Sequence, residues 1–196
     1  MALGDLHKFR AASAAEIAAG FEPGEGARAL LARHTTAGAF LSALIAARLW
    51  VDAIRLLAFA LPNREGVWWA CLAARDAMDG EVPAGWLPCL EAAEAWVYRP
   101  GEDTRRAAFP PAEKDAFESP AAYAALAAFW SGGSLAPADA PEVPPSPVLC
   151  PTAVAAAVML AAVLHDPRQA EAKYRKFIAA GINIANGGNG RTGGTG

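Results

Sequence analysis

Side chains that can act as nucleophiles or bind a metal are few and scattered in this 196-residue chain. The chain contains three cysteines and three histidines: Cys71, Cys89, Cys150, His7, His34 and His165. The cysteines form no Cys-x-x-Cys pair, and the histidines lack the spacing of zinc ligands. An odd number of widely spaced cysteines is typical of free thiols in a reducing compartment. We therefore predict no disulfide framework, no metal site and no cofactor.

Acidic residues indicate no active site either. Asp76, Asp79 and Glu81 cluster near the end of a predicted helix, but they lack the spacing of an EF-hand loop. Glu91 and Glu94 lack the Glu-x-x-His partner of a di-iron bundle. The C-terminal glycines are not followed by the Lys-Ser/Thr of a phosphate-binding loop. The sequence predicts no catalytic residue and a protein that is not an enzyme, although a catalytic triad is defined by geometry rather than by sequence order.

Six tryptophans are the most unusual feature of the sequence. In an Ala-rich bundle large rings fill the space that small residues leave, so most of these rings are predicted to be core. Trp68 and Trp69 are adjacent on one predicted helix and therefore point about 100° apart. Either that helix is central and buries both rings, or one ring lies on a surface that binds a partner. Trp68 and Trp69 are the candidate partner-binding residues.

Composition predicts an all-α protein without a nucleic-acid or membrane surface. Hydrophobic residues make up 54% of the chain, alanine is abundant, and alternating β-branched runs are nearly absent. The net charge is −3 and no basic stripe is present, which argues against nucleic-acid binding. Arg105 and Arg106 are predicted to be solvated. Arg48, Asp52 and Arg55 interrupt a long apolar run on one helix face, where they can pair, so the run is predicted to be amphipathic rather than membrane-inserted. A cytoplasmic location is expected.

The elements that position these side chains are about eight helices, arranged as an irregular bundle or a short stack of αα-hairpins. Ser13 and Ser119 have the sequence contexts of N-caps. The longest helix is predicted from Gly38 to Ala60, ended by Pro62. Thr152 is expected to cap a helix, and the final helix is expected to end at Gly181.

Domain organisation follows from two changes in composition. Residues 1–181 are predicted to form a single all-α domain. Within it, the Pro-rich segment 134–151 is either a linker or, as we prefer, an arm pinned to the surface through Val143, Val148 and Leu149. Residues 182–196 are predicted to be a flexible Gly-rich tail.

Several short motifs lie between about Ala53 and Phe177: Ala53–Ala58, Trp68–Cys71, Ala92–Val97, Ser119–Ala124 and Tyr174–Phe177. With these motifs the chain resembles an uncharacterised family of Ala-rich, all-helical bacterial proteins. Such proteins are similar to accessory proteins encoded beside type VI secretion spike and effector components. The resemblance implies an adaptor or chaperone role and carries no assigned active site.

We therefore expect a non-enzymatic adaptor or chaperone-like protein that binds another protein, such as a secreted effector or spike component. The alternative is a small enzyme or ligand-binding module with a Trp-lined pocket that includes residues such as His34. An exposed apolar patch favours the adaptor, whereas a cleft with converging polar groups and shifted pKa values favours the alternative.

Overall fold

The computed structural model describes residues 3–78, 83–137 and 139–191. This part of the chain contains helices and no strand, which confirms the all-α prediction. The helices are α1 (Ala14–Ala18), α2 (Glu25–Leu31), α3 (Ala37–Ala46), α4 (Trp50–Ala60), α5 (Asn63–Ala77), α6 (Trp86–Tyr98), α7 (Glu102–Ala107), α8 (Phe109–Lys114), α9 (Pro120–Phe129), α10 (Leu149–Val163) and α11 (Ala170–Ala185), with a 3-10 helix at Pro167–Gln169.

Hydroxyl side chains begin several of these helices as the sequence predicts. The Ser13 hydroxyl accepts a hydrogen bond from the Glu16 amide at 3.3 Å, and the Ser119 hydroxyl accepts one from the Ala122 amide at 3.0 Å. Each bond satisfies one of the amide groups that a first helical turn leaves without a partner. The N-cap predictions at Ser13 and Ser119 are confirmed.

The predicted long helix from Gly38 to Ala60 is wrong, because the chain turns between α3 and α4. Arg48 has φ of +58°, in the left-handed region. Its amide donates to the Ile45 carbonyl at 3.1 Å, and the Leu49 amide donates to the Leu44 carbonyl at 2.9 Å. These two bonds form a Schellman motif, which usually has glycine at the left-handed position. Because arginine occupies it here, the sequence contains no signal for the turn.

The break also separates the three charges that were expected to pair. Arg48 forms an ion pair with Glu171 of α11 at 2.9 Å. Asp52 is buried and accepts a hydrogen bond from the Gly24 amide at 3.0 Å. These charges therefore connect different elements instead of pairing along one helix.

The centre of the bundle is formed by α5, α9 and α10. Helix α9 packs against α5, α6 and α10, and α10 also packs against α4. The buried face of α9 is mostly alanine: Ala121, Ala122, Ala124, Ala125, Ala127 and Ala128. Small side chains allow helix axes to approach closely. Since α4 packs against α10 and α11, the arrangement is an irregular bundle rather than a regular stack of hairpins.

Helix α11 continues to Ala185, so the predicted end at Gly181 is wrong. Trp69 of α5 is fully buried, and its indole Nε1 donates to the Phe177 carbonyl at 2.8 Å. A Cβ atom on Gly181 would lie 3.1 Å from the Trp69 ring. Gly181 therefore marks the point where α11 crosses the indole, one turn after Phe177.

The first residues of the Pro-rich segment are held by two arginines of α7. Arg105 is buried, and its guanidinium donates to the carbonyls of Phe129 and Ser134 at 2.6 and 2.8 Å. Arg106 donates to the Ala136 carbonyl at 3.0 Å. The prediction that Arg105 is solvated is wrong, because these carbonyls replace water around its charge.

The apolar side chains expected to pin this segment lie mostly at the surface. Val143 is 51% exposed and Val148 is 39% exposed. Thr152 does not cap α10, which begins three residues earlier at Leu149; its hydroxyl donates to the Val148 carbonyl.

Glu102 pairs with both of these arginines of α7, and we call the three side chains the arginine anchor. Glu102 makes the anchor sensitive to acid. Its carboxylate accepts hydrogen bonds from Arg105 at 2.7 Å and from Arg106 at 2.6 Å. The bond with Arg105 is the main reason that the pKa of Glu102 falls from 4.5 to about 2. A carboxyl group whose pKa is lower in the folded state stabilises the fold above its unfolded pKa, and this stabilisation is lost as the pH falls through its folded pKa.

We expect part of the acid destabilisation to come from Glu102, in the window from pH 4.5 down to about 2. The Glu102→Gln variant should therefore lose melting temperature less steeply than the natural chain across this window. Exposed Glu113 of α8 provides the control, because Glu113→Gln removes the same charge away from the anchor. Parallel pH profiles for the natural chain and Glu102→Gln would contradict this role.

No single helix in the described ranges is both long and apolar enough to cross a membrane. Helix α10 and the segment Pro167–Ala185 together have the length and the apolar composition of a membrane span. They are, however, bent by 112° relative to each other.

Candidate functional site

Trp68 and Trp69 lie in different environments. Trp69 is fully buried and therefore belongs to the core rather than to a binding surface, so α5 is a central helix. Trp68 is partly exposed and lines an open cavity of about 420 Å³. We call this cavity the Trp68 pocket; its main side chains are Lys8, Arg64, Glu65, Trp68, Tyr98 and Arg191.

Two aromatic rings form the apolar part of the Trp68 pocket. The Trp68 and Tyr98 ring centroids are 6.1 Å apart, and the ring planes are tilted by 59°. Tyr98, the last residue of α6, is 67% exposed. Exposed aromatic rings of this kind are enriched where proteins bind other proteins, because they combine a large apolar area with a polar group.

Residues 186–191, which we call the C-terminal strap, form one wall of the pocket. The Trp68 indole Nε1 donates to the Asn189 carbonyl at 2.8 Å, and the Arg191 guanidinium lies 5.5 Å from the Trp68 ring centroid. The Gly190 amide donates to Asn183 Oδ1 at 2.8 Å. The strap is thereby attached both to α5 and to the end of α11.

Glycine is required at two positions of the strap. Gly190 has φ of +73°, and a Cβ atom there would lie 2.7 Å from both Leu72 and Ile184. A Cβ atom on Gly188 would overlap the side-chain amide of Asn183. The prediction of a flexible tail from residue 182 therefore fails up to Arg191, because the glycines allow close packing. Residues 192–196 lie outside the described residues.

The N-terminal segment contributes Lys8 because Asn186 holds it against the end of α11. Asn186 Oδ1 accepts a hydrogen bond from the Leu6 amide at 2.9 Å, and its Nδ2 donates to the Leu3 carbonyl at 2.7 Å. The Lys8 amide donates to the Ala185 carbonyl at 3.1 Å. Segments at both ends of the described chain thus meet at the pocket.

The Trp68 pocket carries excess positive charge. Lys8 is paired with Glu65 at 2.9 Å. Arg64 is exposed, and its Nε donates to the Val97 carbonyl at 2.7 Å. No carboxylate of the described ranges forms an ion pair with Arg64 or Arg191. Two guanidinium groups beside the aromatic rings are therefore available to an anionic ligand.

Deleting Gly187–Gly196 should destabilise the fold, contrary to what a flexible tail predicts. The deletion exposes Leu72 and Ile184 and removes the acceptor of the Trp68 indole. We expect a loss of about 1–3 kcal/mol, measured as a lower melting temperature. A chain ending at Arg191 is the control, since it keeps every strap contact. Equal melting temperatures for the two shortened chains would contradict the packing role of the strap.

The other residues considered for chemistry lie away from this pocket. His34 follows α2 and does not line the Trp68 pocket. Cys71, Cys89 and Cys150 are free and buried. Burial raises the pKa of Cys89 to about 11 and that of Cys150 to about 12, and it also raises the pKa of Cys71. Such thiols stay protonated near neutral pH, which does not suit a nucleophile.

Some acidic residues of the clusters noted in the sequence form ion pairs with basic side chains. Arg75 donates to Glu94 through Nε at 2.6 Å, and Lys176 pairs with Asp76. Asp79 and Glu81 lie outside the described residues. In the part of the chain that the structure describes, no group of three or more His, Cys, Asp or Glu side chains is arranged to hold a metal ion.

Comparison with known proteins gives a family without an assigned activity. A family model described as "Family of unknown function (DUF6931)" matches residues 40–185. This region includes α5, α6 and α11, which provide most of the pocket, but neither Lys8 nor any residue of the C-terminal strap. No curated protein and no solved structure matches the chain. Because the match covers most of its length, the chain belongs to the DUF6931 family of unknown function.

Proposed function

We propose that the protein is a non-enzymatic adaptor that binds another protein through the Trp68 pocket. The observation that supports this proposal is the ring of Tyr98, which is 67% exposed and packs against Trp68 in an open cavity. Burying the two rings in an interface removes a large apolar area from water, while the Trp68 indole stays bonded to the Asn189 carbonyl. Trp, Tyr and Arg are the residues that most often dominate binding energy in interfaces.

The alternative function is a ligand-binding module, and the cavity volume supports it. About 420 Å³ falls within the range of small-molecule sites. The pocket is open, however, and among the described residues its lining contains no Ser, Cys or His nucleophile, while its carboxylate, Glu65, is paired with Lys8. These features fit the capture of a protein segment better than the enclosure of a substrate.

The partner to test first comes from the resemblance to accessory proteins encoded beside type VI secretion components. We propose a secreted effector or a spike component as that partner. Affinity capture from the native host followed by mass spectrometry provides the identity of the captured protein.

Tyr98→Ala should weaken partner binding by at least about tenfold, as the loss of a dominant interface residue does. Because Tyr98 is mostly exposed, this change should leave the melting temperature within about 1 °C of the natural value. Leu87→Ala is the control, since Leu87 lies on the same helix and is 47% exposed away from the pocket. If Tyr98→Ala and Leu87→Ala bind the partner equally well, the Trp68 pocket is not the binding surface.

A further inference from the structure

We infer that the Trp68 pocket recognises an acidic peptide segment, in which an apolar side chain contacts the two rings and flanking Asp or Glu side chains meet Arg64 and Arg191. This inference rests on the proposed function and specifies the chemistry of the partner. The occupant is an internal segment of another protein rather than a free chain end.

The available positive charge comes from two guanidinium groups on different elements. Arg64 is held by its Nε bond to the Val97 carbonyl, which leaves its terminal nitrogens for a ligand. Arg191 extends from the strap and lies over the Trp68 ring. A guanidinium group binds a carboxylate with two parallel hydrogen bonds, so each arginine provides one carboxylate subsite.

The third cation of the pocket contributes little to this preference. Lys8 is neutralised by Glu65, which lies on the same helix as Arg64. An approaching acidic segment therefore meets two guanidinium groups that pair with no carboxylate of the described residues, whereas a basic segment meets the same charges and is repelled. Complementary charge of this kind mainly sets partner choice and association rate.

The number of guanidinium groups favours an internal segment over a chain terminus. A C-terminal residue offers one main-chain carboxylate, but two guanidinium groups on separate elements are satisfied by two acidic side chains. Nucleic acid is a poorer fit, because phosphate recognition relies on many cationic contacts along a backbone, and among the described residues of this pocket two guanidinium groups and one carboxylate-paired lysine are present.

Selection from a random dodecapeptide phage library on the full chain tests the inference without a known partner. We expect the selected peptides to contain an aromatic or aliphatic residue flanked by Asp or Glu. A selected peptide, synthesised with an amidated C-terminus, should bind in fluorescence polarisation, and its Asn/Gln counterpart should bind about tenfold more weakly. Binding that requires a free C-terminal carboxylate, or that an oligonucleotide displaces at equal charge, would overturn the inference.

Variants that each remove one positive charge test whether the preference for acidic peptides arises at the pocket. Arg64→Gln and Arg191→Gln should each weaken acidic-peptide binding by about threefold, within the range of exposed ion pairs. Arg33→Gln removes the same charge after α2, away from the pocket, and should leave binding unchanged.

Two further outcomes separate this inference from the proposed function. Selected peptides that are neutral or basic, yet lose binding in Tyr98→Ala, would overturn the acidic preference and keep the adaptor function. Peptides whose binding ignores both Tyr98→Ala and the arginine variants would overturn both proposals.

Discussion

Replacing Trp69 with alanine should lower the free energy of unfolding by about 3–5 kcal/mol, because it removes a fully buried ring from the centre of the bundle. The change opens a cavity between α5 and α11, where the ring packs against Gly181 and bonds the Phe177 carbonyl. The surrounding helices are held by other contacts and cannot close on this space completely. Denaturant titration followed by far-ultraviolet circular dichroism measures the loss.

Two further variants test how much of this loss in the free energy of unfolding comes from the indole hydrogen bond and how much from the buried position of the ring. Trp69→Phe keeps much of the apolar area but removes the indole donor, so it should cost less than the alanine change. Trp68→Ala should also cost less, because that ring is partly exposed. A stability for Trp69→Ala equal to that of the natural chain would contradict the central position of α5.

A chain ending at Gly133 should fail to form a stable fold. It lacks α10, whose buried residues pack against α4, α5 and α9 at the centre of the bundle. Without α10, the apolar faces of three helices become exposed to water, which favours aggregation. We expect low solubility, no sharp melting transition and binding of a hydrophobic dye.

The full chain is the reference for this experiment and should unfold in one cooperative transition. The hydrophobic core is continuous from Leu6 to Ala185 in the described residues, so no helix pair has a core of its own. A soluble 1–133 chain with a sharp transition would show that α10 and α11 form a separate unit.

The sequence predicts the helices well where the signal is local. The caps at Ser13 and Ser119 follow from a hydroxyl residue immediately before the first helical position, and the all-α class follows from composition. The turn at Arg48 is missed because its left-handed residue is not a glycine. Gly181 is misinterpreted because the reason for a glycine inside α11 lies on α5.

The candidate site could be predicted only in part. Trp68 is identified from its adjacency to Trp69, but Lys8, Tyr98 and Arg191 reach the pocket from segments far apart in the sequence. Such a juxtaposition depends on tertiary packing and leaves no periodic pattern. One signal does exist in the sequence: Asn183 and Asn186 precede the glycines, and their amides are the groups that bind the strap and the N-terminal segment.

The contact between Leu6 and Asn186 has a consequence for synthesis of the protein on the ribosome. The two residues are 180 positions apart, so at about 5–20 residues per second Leu6 waits roughly 9–36 s for Asn186 to be added. During that time Lys8 and Arg191 cannot both lie beside Trp68, so the pocket is incomplete. A partner that needs the complete pocket can therefore be bound only after residues up to Arg191 have been synthesised and have left the ribosome, and not by a shorter nascent chain.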